Sequence, residues 1–275
     1  MTQFEAIQAR HSVRHYLARP IGAEELAALQ REIVRVNAES GLHVQLVCGE
    51  SKAFSGPMAY GKFSGVENYL VMAGPKSGQL DFLVGYYGEQ LVLLAQQLGL
   101  NTCWAGVSYR KVQGTYELAP GEKIACYIAI GYGQTQGVPH RSKAPEELSN
   151  LSADSPDWFR RGVKAALLAP TAVNQQKFRI ELKEVSGDGA GLRSAVDMAD
   201  SRAVAASDAG AKDGGSNSRA VAASDAGAKD GDSDSRAVVS ISKGVSLIGY
   251  TQMDMGIAKL HFEIGAGTEN FRWDL

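Results

Sequence analysis

The stretch GLNTCWAG, residues 99–106, places a tryptophan among small residues directly after an apolar run that predicts a helix. The end of a helix needs only one glycine, whereas this stretch also holds Cys103, Ala105 and Gly106. Small residues let a ligand approach the backbone closely. Trp104 could pack beside such a ligand, or it could fill the core, as a single tryptophan commonly does. The stretch therefore suggests a surface on which something large and flat lies against the main chain.

Patterns on both sides of this stretch predict a chain of mixed helix and strand. Before it, apolar residues at helical spacing predict a helix over residues 81–98, with Asp81 as its cap or in its first turn. After it, the almost continuously apolar KIACYIAIGYG, residues 123–133, is typical of a central strand. Helices are also predicted over 21–36, 155–170 and 253–266, and strands over 42–49, 67–75 and 178–185.

Composition limits the classes of protein to which the chain can belong. Its 275 residues are 44% apolar, which is enough for one large domain or two small ones. A net charge of −2 gives no sign of a nucleic-acid or membrane-surface partner. No apolar run approaches the roughly 20 residues of a membrane-spanning helix, and the first residues lack a signal-peptide core. We therefore expect a soluble, cytoplasmic protein.

The three cysteines, Cys48, Cys103 and Cys126, lie far apart in the sequence. No CxxC pair and no Cys/His pair at metal-ligand spacing occurs. We expect reduced structural thiols and no metal site.

The chain divides into two predicted halves, residues 1–150 and 151–275. The second half is interrupted at about 186–240 by a tandem repeat whose copies begin at Ser201 and Ser218, with a third start, SRAV, at Ser235. The repeat consists mainly of Ala, Ser, Asp, Gly and Lys, so it cannot bury enough apolar surface to offset its ordering entropy. The composition favours a flexible surface insertion without a role; a partner-binding arm is the alternative.

Two basic clusters are candidates for binding an anion. In RHSVR, residues 10–14, Arg10 and Arg14 flank Ser12, and guanidinium groups match phosphate oxygens in a fork. In PHRSKAP, residues 139–145, Arg141 and Lys143 follow the predicted central strand. Together the clusters would form a phosphate pocket. Separately, each is also compatible with an ordinary solvated surface.

An amide-rich segment, APTAVNQ at residues 169–175, follows the helix predicted over 155–170. Asn and Gln side chains can pair with the edge of a heterocycle that carries both donors and acceptors. A polar loop without a ligand is the alternative interpretation.

These four segments together resemble the FMN-dependent nitroreductase superfamily. The family's patterns stand here as RHSVR, GLNTCWAG, AIGYGQTQGVPHRSK and APTAVNQ. Unlike in ordinary members, the amide-rich loop lies in the second half, which has no RHSVR equivalent. The chain is therefore similar to the tandem-fused TM nitroreductase type, in which one chain imitates the usual dimer. The resemblance implies an α+β fold, with a central, mainly antiparallel sheet flanked by helices and two fused half-units.

The resemblance also implies one FMN site between the halves. The first half would hold the phosphate and place Arg14 at the pyrimidine end, where a cation stabilises the charge that reduction creates. Backbone at 104–107 would lie near N5, and the amide-rich loop would reach the flavin from the second half. The implied cofactor-binding residues are Arg10, His11, Ser12, Arg14, Lys62, Trp104, Ala105, Gly106, Val107, Arg141, Lys143, Pro170, Thr171, Ala172 and Asn174.

The activity implied by the resemblance is that of an NAD(P)H-dependent FMN oxidoreductase. Hydride would pass from NAD(P)H to FMN and then to an electron-poor small molecule, such as a nitroaromatic or quinone, in a ping-pong cycle. The flavin carries this chemistry, so we assign no catalytic side chain. Fusion of the halves would allow a monomer. Two alternatives are a flavin-binding protein without turnover, such as a sensor, and a structural protein with a decayed site, against which both basic clusters argue.

Deleting residues 201–234 is expected to leave folding and flavin content intact, because valine is the only sizeable apolar residue that this segment could contribute to a core. The midpoint of thermal unfolding should stay within about 2 °C of the full chain. Loss of soluble protein on deletion would show that the repeat is structural.

Overall fold

The computed structural model describes residues 1–57, 59, 62–183, 236–246 and 249–274, which belong to one compact unit. The repeat at 201–234 lies outside these residues. The helices are α1 Gln3–Ala9, α2 Ala23–Ser40, α3 Leu80–Gln97, α4 Pro145–Leu148, α5 Asp157–Ala166 and α6 Thr251–Ala266. The strands are β1 Gln45–Val47, β2 Tyr69–Pro75, β3 Asn101–Ala105, β4 Glu122–Gly131, β5 Phe178–Lys183, β6 Ala237–Lys243 and β7 Phe271–Asp274.

The strands of the described residues form two sheets. The larger has the order β1-β2-β4-β3 and is antiparallel throughout. Strand β4 has a neighbour on each side, which confirms the central position expected from its apolar sequence. The smaller sheet has the order β5-β6-β7, with β5 antiparallel and β7 parallel to β6. Helices pack on these sheets, so the predicted α+β class is confirmed.

The structure corrects two boundaries. Residues 101–105, predicted as the end of a helix, form strand β3, which pairs with β4. Helix α3 already ends at Gln97, and Gly99 turns the chain at a φ of 77°. The insertion expected at 186–240 is too long at its end, because Ala237–Ser240 already belong to β6. Pairing with β5 and β7 holds this stretch in the sheet. The strand was not predicted because its first residues match the SRAV with which each repeat begins.

Helix α3 forms where apolar spacing predicted it, but it is buried on more than one side. Of the residues whose spacing predicted its buried side, Leu91 is fully buried, but Leu83, Tyr87, Leu94 and Leu98 are only partly buried. Val84, Val92 and Ala95, which lie off that side, are fully buried. The cause is that α1, α2 and α6 all contact it. No helix among the described ranges is long and apolar enough to span a bilayer.

Helices α3 and α6 cross with their backbones in contact. A Cβ atom on Gly85 would lie 2.0 Å from the carbonyl oxygen of Met253, and one on Gly256 would lie 2.3 Å from that of Phe82. The two contacts are reciprocal. Gly85 lies three positions after Phe82 on α3, and Gly256 lies three positions after Met253 on α6, so each glycine meets the carbonyl group that precedes the other glycine by three residues. Reciprocal contacts are the pattern of a two-fold interface. They support the interpretation of two related halves, which stays a prediction.

Candidate active site

A cleft of about 330 Å³ opens at the end of β3. Its walls come from the N-terminal segment, the residues around Lys62, the loop after α5 and the start of α6. The lining residues are Ser12, Arg14, Lys62, Phe63, Trp104, Ala105, Gly106, Val107, Ser108, Cys126, Pro170, Thr171, Ala172, Val173, Tyr250, Met253, Asp254 and Ile257. Segments more than 150 residues apart in sequence thus share one cavity.

Ten of the fifteen residues implied by the resemblance line this cleft. They are Ser12, Arg14, Lys62, Trp104, Ala105, Gly106, Val107, Pro170, Thr171 and Ala172. The structure does not place the other five in its lining, namely Arg10, His11, Arg141, Lys143 and Asn174. The ring-facing part of the expected site is therefore assembled more completely than the phosphate-facing part.

The N-terminal segment reaches the cleft because it pairs with β3. Ser12 forms a bridge with Thr102, and the N–H of Val13 donates to the carbonyl oxygen of Thr102 at 3.0 Å. This pairing sets Ser12 and Arg14 beside the end of the strand. Beneath them, burial raises the pKa of the Cys103 and Cys126 thiols, so both stay protonated as structural thiols near neutral pH.

Two cations stand at one side of the cleft. Arg14 and Lys62 are both exposed and both line it. Neither side chain makes a hydrogen bond or ion pair with another residue in the described ranges. Their charges are therefore available to an anionic or electron-rich ligand.

The amide-rich loop is tied to the second basic cluster. The side-chain amides of Asn174 and Gln176 both donate to the carbonyl oxygen of Arg141, at 2.8 and 2.9 Å. Lys143 donates from its backbone N–H to Gln176 Oε1 at 2.9 Å and from Nζ to the Gln176 carbonyl at 3.1 Å. The two motifs therefore form one structural unit, although the Lys143 amine is directed to the backbone of the loop.

Asp254 of α6 holds the other side of this loop and also lines the cleft. Its Oδ1 accepts the backbone N–H of Ala172 at 2.9 Å, and its Oδ2 accepts Nε2 of Gln175 at 2.7 Å. Burial raises the pKa of Asp254 to about 6, although both hydrogen bonds oppose this change. The carboxyl group therefore changes charge close to physiological pH.

Asp254→Asn is expected to change the pH dependence of stability. Because the folded-state pKa is raised from 3.8 to about 6, the native state binds this proton more tightly, and the free energy of unfolding falls as pH rises between these values. Above pH 6 the ionised group costs on the order of 3 kcal/mol. Urea unfolding at pH 4.5 and 7.5 should show the variant gaining stability over the wild type at the higher pH. An equal difference at both values would contradict this.

Arg10 is buried behind the cleft in a charged network. Its Nε lies 3.6 Å from Oε1 of Glu89, which is itself fully buried. The same carboxylate accepts Nε1–H of Trp104 at 3.0 Å and lies 3.0 Å from Nε2 of His261. The other ring nitrogen of His261 faces the carbonyl oxygen of Ala165 at 3.2 Å. Glu89 thus joins the RHSVR motif, the tryptophan of the cleft and α6.

His11 lies near this network but not in the cleft. His11 packs against Gly137, since a Cβ atom on this glycine would lie 2.7 Å from Cβ of His11. The pKa of His11 is lowered, mainly by burial and secondly by the charge of Arg10. The loop leading to the second basic cluster therefore packs directly against the first cluster.

The model of the family described as "Putative TM nitroreductase" matches residues 2–198, more than half of the chain. The chain belongs to this nitroreductase family. A comparison with curated proteins finds no match.

One solved structure with a TM-score above 0.5 shares the fold of this chain. A proposed nitroreductase from Thermotoga maritima superposes with a TM-score of 0.54 at 18% identity, over 96% of this chain and 83% of its own. A proposed NADH dehydrogenase/NAD(P)H nitroreductase from Parabacteroides distasonis gives 0.43 at 21%, over 53% and 95%. A proposed nitroreductase in complex with FMN from Desulfovibrio desulfuricans gives 0.45 at 16%, over 57% and 99%.

The nitroreductase motifs did not identify the part of the cleft formed by α6. Tyr250, just before α6, and Met253, Asp254 and Ile257 of α6 line it. The sequence predicted no site residue here, only a helix over 253–266 and a resemblance of residues 254–273 to the C-terminus of the tandem-fused type. One signal was present: Asp254 is a carboxylate in the otherwise apolar MDMGIA, residues 253–258. An isolated charge on a buried helix commonly has a specific partner.

Proposed function

We propose that this member of the nitroreductase family is an FMN-containing oxidoreductase that passes hydride from NAD(P)H to an electron-poor small molecule in a ping-pong cycle. The observation that carries the proposal is the convergence of ten residues implied by the flavin motifs, from the N-terminal segment to the loop after α5, on one cleft.

The residues present fit a flavin ring. The cleft volume of about 330 Å³ lies at the lower end of the range of about 300–1,000 Å³ for small-molecule sites, and its lining combines apolar residues with two cations and the carboxyl group of Asp254. Gly106 leaves the backbone at the end of β3 without a side chain of its own. Arg14 and Lys62 supply positive charge without partners among the described residues. Bound FMN would supply the two-electron chemistry that no side chain of the cleft can perform.

Each wall of the cleft has a separate role in this proposal. Arg14 stabilises negative charge at the pyrimidine end of the ring, because a fixed cation there needs no reorganisation during reduction. Backbone at 104–107 approaches the ring edge. Pro170, Thr171 and Ala172 cover the ring from the side of the second half. Trp104, fixed by Glu89, fills the space behind it.

The phosphate is assigned to the region between the two basic clusters. Arg10, Ser12, Arg141 and Lys143 are the residues that the resemblance implies for it. Arg10 has a buried Nε without a hydrogen-bond partner among the described residues. Such an atom is uncommon in folded proteins, but it lies 3.6 Å from Oε1 of Glu89, so the charge of Arg10 already has a partner and the assignment to the phosphate rests on the resemblance. We further propose that the protein is monomeric and cytoplasmic, and that its partners are small molecules only.

An absorption spectrum followed by anaerobic NADH or NADPH addition tests the function. We expect a yellow protein whose colour bleaches on addition and returns with a nitroaromatic or quinone. Flavin that stays yellow with both nucleotides would support the alternative of a flavin-binding protein without turnover. A colourless protein that takes up no FMN would overturn both.

Arg14→Ala is expected to weaken FMN binding by about 10- to 100-fold, because a hydrogen bond to a charged group contributes roughly 1.5–3 kcal/mol. The dissociation constant is measured by quenching of FMN fluorescence during titration of flavin-free protein. Arg31→Ala, which removes an exposed arginine on α2, is the matched control and should leave binding unchanged. Equal affinity of the Arg14 variant and wild type would remove Arg14 from the site.

A further inference from the structure

Backbone strain in the described residues is concentrated in the amide-rich loop after α5. Of the four residues other than glycine with positive φ in the described ranges, Val173, Asn174 and Gln176 lie here, at 45°, 57° and 46°. For a β-branched residue such as valine this conformation is an outlier. Strained backbone persists only where its surroundings fix it, and it is common at ligand clamps and active sites. Because residues 170–173 line the cleft, the contacts that fix this loop also fix one wall of the cleft.

Asp254 fixes the loop from α6. Its Oδ1 accepts the backbone N–H of Ala172 at 2.9 Å, and its Oδ2 accepts the side-chain N–H of Gln175 at 2.7 Å. The same amide nitrogen of Gln175 donates to the carbonyl oxygen of Gly249 at 3.0 Å, in the turn before α6. Asp254 therefore links the start of α6 to the wall of the cleft that the second half supplies.

The carboxyl group of Asp254 is buried without a counter-charge. The residue is 2% exposed, and within the described ranges no Arg, Lys or His side chain forms an ion pair with it. Burial of an unpaired carboxylate is costly, but its two acceptor oxygens match the two N–H donors that face it. A protonated carboxyl group would direct its own O–H at one of these donors, so one of the two hydrogen bonds would be lost.

The environment of Asp254 makes this protonation accessible. Burial is the main cause of its raised pKa of about 6, and the hydrogen bonds from Ala172 and Gln175 oppose it. Other titratable groups lie in the cleft or on α3, which crosses α6 here, namely Arg14, Lys62, Cys126, Tyr250, Asp81 and Tyr86. None of these six contributes to the shift. Among the residues that line the cleft, Asp254 is therefore the one that changes charge between pH 5 and 7.

We propose that Asp254 is a positioning residue for FMN: its ionised carboxylate holds residues 170–175 in place beside the flavin ring, and FMN affinity falls when that carboxylate is protonated. The proposal rests on the proposed function and deepens it, since it concerns how the same site retains its flavin. A loop that is fixed before binding loses less conformational entropy when the ligand binds. The ring of oxidised FMN is uncharged, so the carboxylate does not repel it.

The test is the FMN dissociation constant of flavin-free protein between pH 5 and 7.5, measured by quenching of FMN fluorescence. Wild type is compared with Asp254→Asn at each pH, which cancels the titration of the FMN phosphate. From pH 7.5 to 5 we expect the affinity of wild type relative to the variant to fall about five- to tenfold, because one proton changes affinity by at most tenfold per pH unit. Asp157→Asn is the matched control, since this carboxylate is 92% exposed on α5, and it should follow wild type. A constant ratio of wild type to Asp254→Asn, or one that moves in the other direction, overturns the proposal.

Stability distinguishes positioning from a general structural role. At pH 7.5, Asp254→Asn should unfold at a higher urea concentration than wild type, because it removes a buried charge. At the same pH it should bind FMN about five- to tenfold more weakly, because the Asn amide nitrogen cannot accept the N–H of Gln175. Gln175 cannot turn its amide round without losing the bond to Gly249. A fall in both quantities would show that Asp254 only stabilises the fold, and it would overturn the positioning role.

The two proposals can fail separately. Hydrogen–deuterium exchange at the backbone N–H of Ala172 needs no flavin. In flavin-free protein this exchange should be several-fold faster in Asp254→Asn than in wild type at pH 7.5, and nearly equal at pH 5; equal exchange at both pH values would overturn the role of Asp254. A protein that shows the difference but binds no FMN would overturn the oxidoreductase proposal and leave the loop contact intact. Flavin that bleaches with NADH, together with a constant affinity ratio, would overturn the role of Asp254 alone.

Discussion

Glu89→Ala is expected to destabilise the fold by about 3–5 kcal/mol, because it leaves a buried guanidinium without its counter-charge. Arg10 and Glu89 have side chains only 3% and 0% exposed, so water cannot replace the lost partner. Trp104 and His261 lose their acceptor at the same time. Urea unfolding followed by fluorescence measures the change. FMN affinity should fall as well, since Arg10 and Trp104 both belong to the flavin motifs.

The matched controls for this prediction are Glu89→Gln and Glu39→Ala. Glutamine keeps an acceptor for Trp104 but removes the charge beside Arg10, so its cost should be intermediate. Glu39 pairs with Arg35 at 2.6 Å, but these side chains are 47% and 42% exposed. Such a surface pair contributes about 0.2–1 kcal/mol. If Glu89→Ala cost no more than Glu39→Ala, the buried network would not stabilise the fold.

The network around Glu89 also illustrates what the sequence could predict. RHSVR and the tryptophan stretch were recognisable as motifs, but burial of Arg10 depends on a carboxylate 79 positions away on α3. A single Glu within the apolar VGYYGEQLVLL, residues 84–94, and a single His within the apolar α6 were the signals available. Neither charge pattern identifies its partner, because the pairing arises only when α3 and α6 pack.

Secondary structure, too, could be predicted where the signal is local in the sequence and not where it depends on tertiary pairing. Long periodic segments such as α2 and α3, and the apolar run of β4, were predictable because their patterns are local. Strand β3 has only five residues, and its pairing with β4 determines it. The start of β6 likewise depends on β5 and β7, not on its own sequence. Tyr250 could not be predicted for this reason: its place at the cleft follows from a turn and a helix crossing that are both tertiary.

Gly256→Ala is expected to cost about 3 kcal/mol, because it forces apart the two helices that join the predicted halves. The new Cβ atom would lie 2.3 Å from the carbonyl oxygen of Phe82 and 2.8 Å from the backbone N of Tyr86. These are backbone atoms of a helix, so no side-chain rotation relieves the contact. Alanine's better helix propensity, worth about 1 kcal/mol, offsets only part of the cost.

Moving α3 and α6 apart should also distort the cleft, because Met253 contacts Gly85 at this crossing and lines the cleft. We therefore expect Gly256→Ala to weaken FMN binding as well as to lower the urea midpoint. Gly78→Ala is the control, because a Cβ atom there has nothing within 4 Å, and it should change neither quantity. If Gly256→Ala proved as stable as the control, α3 and α6 would have room between them, and the close crossing that aligns the two sides of the cleft would not exist.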